Sequence, residues 1–223
     1  MNKNINSPEF NDNRKYDYSN FSTEDRVEYS LITELIPEQS KVIDLGCGNG
    51  SLMKLLERKN CTTTGIELSE SGVEVCRSKA LNVIKGGIDS SLPFTENEFD
   101  FSVCNVTIQM VMYPEILIQE MKRISGKQIV SFPNFGFFKN RFEFLFSGGM
   151  PESMLFGYKW YNTGHIHQLS IKDFYELVNR VEGLRILEMK FVKTNSIIKN
   201  LLMEKFPNLF LILPVFLMEK ISL

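Results

Sequence analysis

The run VIDLGCGNGSL, Val42 to Leu52, sets glycines at 46, 48 and 50 between an apolar stretch and a helix-like one. A turn that bare lets a ligand approach the backbone closely, because no Cβ stands in the way. Three kinds of binder use glycine-rich strand-to-helix turns: dinucleotide enzymes, phosphate-loop enzymes and methyl-donor enzymes. A phosphate loop needs G-x-x-x-x-G-K-[ST], and no Lys-Ser/Thr pair follows these glycines. A dinucleotide turn needs G-x-G-x-x-G, but Ser51 stands where the third glycine belongs. The pattern present is D-x-G-x-G-x-G, led by Asp44.

The next strand-like stretch ends in GIEL, which puts Glu67 about 20 residues past the turn, where an acid binds the ribose of an adenine nucleoside. An adenosyl ligand without a pyrophosphate fits both features, and S-adenosylmethionine is such a ligand. Its carboxylate would meet backbone N–H groups at the helix start after Gly50. The expected cofactor residues are Asp44, Gly46, Cys47, Gly48, Asn49 and Gly50 on the turn, then Glu67 and Leu68, then Asn105. The plain alternative is that GCGNG is only a tight turn.

Strand-like and helix-like segments alternate through most of the chain. KVIDL, TTTGIEL, NVIKG, FDFSVCN, KQIVSFP and LRILEMKFV read as strands, with PVFLMEK as a seventh. Between them, GSLMKLLERK, SESGVEVCRSKAL, PEILIQEMKRI and SIKDFYELVNRV read as helices, with Ser69 or Ser71, Pro114 and the Ser170/Asp173 pair as start signals. Ahead of them, STEDRVEYSLITELI spaces Val27, Leu31, Ile32 and Ile36 as one helical face. This order predicts a Rossmann-like, doubly wound, mostly parallel seven-stranded α/β sheet with helices on both faces. Residues 1–20 are asparagine-rich and read as a disordered lead-in, with 21–223 as one domain.

A formal net charge of −2 argues against a general nucleic-acid binder. The four cysteines include no CxxC pair, and the polar N-terminus has no signal-peptide core, so reduced thiols and a cytoplasmic location are expected. The apolar stretch from Leu209 to Met218 is too short for the roughly 20 residues a membrane span requires, so no transmembrane segment is expected.

VIDLGCGNG, GIELS and LPFTENEFDFSVCN together resemble the class I S-adenosylmethionine-dependent methyltransferases. SFPNFG (Ser131–Gly136), GGMP (Gly148–Pro151), YKWYNTGHIH (Tyr158–His167) and SIKDF (Ser170–Phe174) resemble a narrower group, the MetW family of methionine-biosynthesis proteins. That resemblance implies the class I methyltransferase fold, S-adenosylmethionine as cofactor and a link to methionine synthesis. It also implies an association with homoserine O-acetyltransferase. One departure stands out: Gly86-Gly87 replaces the Gly-Asp pair whose acid meets the adenine amino group, leaving Asp89 or a backbone N–H near Ile88 for that contact.

Methyl transfer from a sulfonium needs alignment more than acid–base chemistry. A base is required only for a poor nucleophile, and His167 is the candidate, set against a role in ordering the loop before Ser170. Asn134, Gln109 and His167 are the candidates for an acceptor pocket, with turn chemistry as the alternative for Asn134 and Asn105. No metal set is expected, because the His165–His167 pair has no third ligand nearby. FGFFKNRFEFLF (Phe135–Phe146) places Phe135, Phe138, Phe142 and Leu145 on one face, which reads first as core, with a lid, a partner surface or a membrane-leaning helix as alternatives. Three functions follow: a small-molecule methyltransferase, an accessory subunit supporting homoserine O-acetyltransferase, and a methyltransferase for a lipid or cell-envelope sugar.

Overall fold

The computed structural model describes residues 26–153, 159–161 and 163–221, so the lead-in expected over 1–20 lies outside the described residues. The chain order is α1 (Val27–Leu35), β1 (Lys41–Leu45), α2 (Ser51–Glu57), β2 (Thr62–Glu67), α3 (Glu70–Ser78), β3 (Val83–Lys85) and β4 (Phe99–Asn105). It continues with α4 (Pro114–Ile124), β5 (Ser125–Ser131), α5 (Phe138–Ser147), α6 (Ile171–Arg180), β6 (Leu184–Lys190), α7 (Ile197–Lys205), α8 (Pro207–Phe210) and β7 (Val215–Lys220). The strands form one sheet in the order β3-β2-β1-β4-β5-β7-β6. The first five are parallel, and β7 runs antiparallel to both of its neighbours, β5 and β6.

Successive strand residues point to opposite faces, and here both faces are covered. Val42, Val103, Ile129, Val215 and Leu217 pack with Ile32 of α1 and with Leu52 and Leu56 of α2. Their chain neighbours Ile43, Cys104, Val130, Phe216 and Met218 face the other way, onto Leu117 and Met121 of α4 and Phe174 of α6. Val215–Met218 of β7 is accordingly a continuous buried apolar run. Phe174 sits between Phe132 and Phe216, with ring centroids 5.0 and 4.7 Å away.

Local signals set the helix starts. The Ser69 hydroxyl accepts from the Gly72 N–H at 3.2 Å and caps α3. At α6 the Ser170 hydroxyl accepts from the Asp173 N–H while Asp173 accepts from the Ser170 N–H, a complete capping box.

Two segments differ from the sequence expectation. On α1, Val27 is exposed while Glu28 and Tyr29 are buried. On α5 only Asn140 is buried, and Phe142, Phe144, Leu145 and Phe146 face outward. Its phenylalanines pack along the helix on one another, Phe142 on Phe146 and Phe138 on Phe142, and reach the rest of the fold through Phe210 of α8. The stripe is therefore not core. Between β6 and β7 the chain forms α7 and α8.

Candidate functional site

All three glycines of the turn adopt left-handed backbone, with φ of 81°, 55° and 73° at Gly46, Gly48 and Gly50. Side chains disfavour that region, so alternate glycines are what this path requires. A Cβ at Gly46 would also lie 2.6 Å from Thr107 Cγ2. The turn is fastened to β2 by the Gly46 and Cys47 N–H groups, which both donate to the Ile66 carbonyl.

Glu67 closes the other side. Its Oε2 accepts from the Gly48 N–H at 2.8 Å, and its Oε1 accepts from both the N–H and the hydroxyl of Ser69. Three of about four acceptor positions are thus used inside the protein. Glu67 holds the turn in shape and keeps little free capacity, a role its position in the sequence did not reveal.

A cavity of about 90 Å³ opens beside the turn. Asp44, Gly46, Cys47, Gly48, Asn49 and Asn105, all expected cofactor residues, line it. Arg26 and Tyr29 of the α1 region line it as well, and sequence reasoning missed both. The available signal was an arginine opening the helix ahead of β1, but the apolar face of that helix drew the reading to Val27.

The electrostatics of this cavity are bipolar. Asp44 is buried, and burial, then repulsion from Glu67, pushes its carboxyl up to about 7, with Arg26 opposing. Burial pushes the Tyr29 phenol up to about 12. The Arg26 guanidinium meets Glu28 at 2.6 Å and lies over the Tyr29 ring. Glu28 in turn accepts from the Asn105 amide at 3.4 Å, and Asn105 accepts from the Ser131 hydroxyl. A chain of polar contacts therefore links α1 to the ends of β4 and β5.

The remaining expected residues divide. Leu68 is exposed beside Glu67, while the Ile88 side chain is buried in the core. Asp89 accepts from the Met112 and Tyr113 N–H groups through Oδ2, which ties it to the start of α4. The Gln109 amide donates to the Val106 carbonyl, and its buried Oε1 has no protein partner among the described residues. The His167 ring approaches the Met112 carbonyl at 3.4 Å, and the N–H groups of Ile166 and His167 donate to the Gln109 carbonyl. This stretch is thereby tied to the loop after β4. Among the described residues no group of three or more His, Cys, Asp or Glu side chains could hold a metal.

Asn134 has a different job from the one expected of it. Its amide donates to the Asn208 and Leu211 carbonyls and accepts from the Gly136 and Ile171 N–H groups. Every donor and acceptor position is filled by the fold, so the amide has none left for an acceptor substrate. Asn134→Ala is expected to cost about 2–3 kcal/mol of stability, read as a lower urea midpoint with an unchanged denaturant slope.

A family model, "Methionine biosynthesis protein MetW", matches residues 26–218. The chain belongs to the MetW family. Among curated relatives of this MetW protein, the bifunctional methionine biosynthesis protein MetXA/MetW of Rhodopirellula baltica is 31% identical over 166 residues, 70% of the chain. The chain spans 27% of that relative's length. The ubiquinone biosynthesis O-methyltransferase of Actinobacillus pleuropneumoniae is 28% identical over 94 residues, covering 38% of the chain and 40% of the relative. Among solved structures, an S-adenosylmethionine-dependent methyltransferase from Mesorhizobium loti superposes with a TM-score of 0.63 at 15% identity, covering 88% of the chain and 99% of that structure. The fold is that of the class I methyltransferases. Among the described residues no helix is long and apolar enough to cross a membrane.

Proposed function

We propose that this MetW-family protein binds S-adenosylmethionine at the glycine turn and acts as a methyltransferase on a small acceptor linked to methionine biosynthesis, with 21–223 as its one domain. The observation that carries the reading is that Asp44 and Arg26 both line a cavity beside the backbone of Gly46 and Gly48. One anion and one cation suit the zwitterionic amino-acid end of the cofactor. The cavity lies at the glycine turn, where that end of the cofactor would sit.

When bound, the cofactor supplies a methyl group on a sulfonium, already activated toward displacement. Asp44 would face the ammonium and Arg26 the carboxylate. The remaining acceptor position of Glu67 would take a ribose hydroxyl. Oδ1 of Asp89, or backbone near Ile88, would meet the adenine edge above exposed Leu68. Gln109 Oε1 is an acceptor for a donor-bearing substrate, and His167 is the candidate base. Calorimetry with S-adenosylhomocysteine tests the reading: Arg26→Ala is expected to bind on the order of tenfold more weakly with the fold intact. No binding by the unaltered protein would sink it.

The accessory reading has an observation of its own. The Rhodopirellula relative is named for two activities, MetXA and MetW, in one chain. Here α5 presents Leu145 and Phe146 to solvent, and α7 presents Ile197 and Ile198, exposed apolar side chains of the kind found at protein contacts. Co-purification with homoserine O-acetyltransferase, lost in Leu145→Glu/Phe146→Glu, would support the accessory role.

A further inference from the structure

Cys47 and Cys76 face each other with their sulfur atoms 4.0 Å apart. Cys47 belongs to the glycine turn and lines the cavity, and Cys76 lies on α3 and is fully buried. The Cys76 thiol donates to the Gly48 carbonyl at 3.3 Å, so it touches the turn twice. Two glycines make room for the pair. A Cβ at Gly65 would lie 2.6 Å from the Cys47 sulfur, and one at Gly50 would lie 3.0 Å from the Cys76 sulfur. The other two cysteines have no such neighbour: Cys61 donates to the Pro37 and Lys59 carbonyls, and Cys104 is buried in the sheet core.

We propose that Cys47 and Cys76 are a redox-reversible dithiol: a peroxide oxidises them to a disulfide that clamps the glycine turn to α3 and weakens cofactor binding. The effect on the cofactor rests on the S-adenosylmethionine reading above, whereas the disulfide does not. The cavity admits a molecule as small as hydrogen peroxide and brings it to Cys47 first. Cys47 loses its proton, its sulfur attacks one peroxide oxygen and the O–O bond breaks. One water leaves, and Cys47 carries a sulfenic acid. The Cys76 sulfur then attacks the Cys47 sulfur, the S–O bond breaks and the oxygen leaves as a second water. The two sulfurs together lose two electrons, and the two peroxide oxygens gain them.

The roles follow from access: Cys47 lines the cavity and Cys76 is fully buried. The hydrogen bond to Cys76, with burial and Asp44 behind it, pushes the Cys47 thiol up, so Cys47 gives up its proton as it attacks, while the same contact pulls Cys76 down and readies it for the second attack. Bonded sulfurs lie about 2.05 Å apart, so this pair must close by roughly 2 Å. Closing it turns the Cys76 sulfur away from the Gly48 carbonyl. It also draws in a turn whose next N–H is held by Glu67.

The test treats the reduced full-length chain with graded hydrogen peroxide, then measures intact mass and maps peptides. The expected product is lighter by two hydrogens, carries a Cys47–Cys76 cross-link and reverts with dithiothreitol. Cys76→Ser should stop at a Cys47 sulfenic acid that dimedone traps. Oxidation to sulfinic acid without a cross-link, or a cross-link through Cys61 or Cys104, overturns the proposal. Calorimetry with S-adenosylhomocysteine then compares the two forms, and the disulfide form should bind about tenfold or more weakly. Equal binding by both forms overturns the clamp. If the reduced form binds nothing, the cofactor reading has failed, and the cross-link alone decides whether the dithiol stands.

Discussion

Asp44→Asn is expected to weaken S-adenosylhomocysteine binding on the order of a hundredfold while leaving the empty protein more stable at neutral pH. The two effects share one cause. Asp44 is buried, sits near Glu67 and has its carboxyl pushed up to about 7, so ionising it inside the fold is costly. The folded state then holds a proton that the unfolded chain gives up. Stability from this group is greatest at low pH and falls as pH rises from about 4 to about 7. A neutral amide of the same shape removes that cost. It also removes the charge that would meet the ligand's ammonium, and losing one member of a buried charge pair costs about 2–5 kcal/mol.

A pH signature accompanies this. A cation beside Asp44 favours its ionised form, so below about pH 7 binding must expel a proton. Affinity of the unaltered protein should fall by up to about tenfold per unit as pH drops below that value, and Asp44→Asn should be flat. Calorimetry across that range, in buffers of different ionisation enthalpy, reads both the slope and the proton. A mutant whose affinity and pH dependence match the unaltered protein would remove Asp44 from the site.

The largest loss of stability should come from Phe174→Ala, at about 3–5 kcal/mol. Phe174 is fully buried, and its ring packs on Phe132 at the end of β5 and Phe216 of β7. Urea unfolding should show a lower midpoint with an unchanged slope. A loss below about 1 kcal/mol would mean that the aromatic cluster repacks.

The residues explain why some of this was legible in the sequence. KVIDL, FDFSVCN and PEILIQEMKRI are β1, β4 and α4 end to end, because period, flanking turn residues and an N-terminal proline are local signals. The Ser170–Asp173 box was legible for the same reason. Strand β5 begins two residues before the expected KQIVSFP, since α4 runs straight into it. What was not legible depends on distant partners. Glu28 is buried because Arg26 and Asn105 meet it, 77 positions separating Asn105 from Glu28. Asn134 looked available for a substrate until residues near 171, 208 and 211 closed around it. The face of α5 that reads as core on a helical wheel meets Phe137, and Phe210 of α8, at Phe138, while Phe142 and Leu145 face outward.

The position of β7 has a consequence for how the protein is made. The strand lies between β5 and β6 although it is synthesised after both. As the chain leaves the ribosome, β6 has no sheet neighbour to pair with, and the outer edge of β5 stands open. Helix α6 likewise waits for Phe216 to complete the aromatic cluster around Phe174. Nascent chains should therefore stay open to proteases and holdases until residues 215–220 have emerged, and close in one late step.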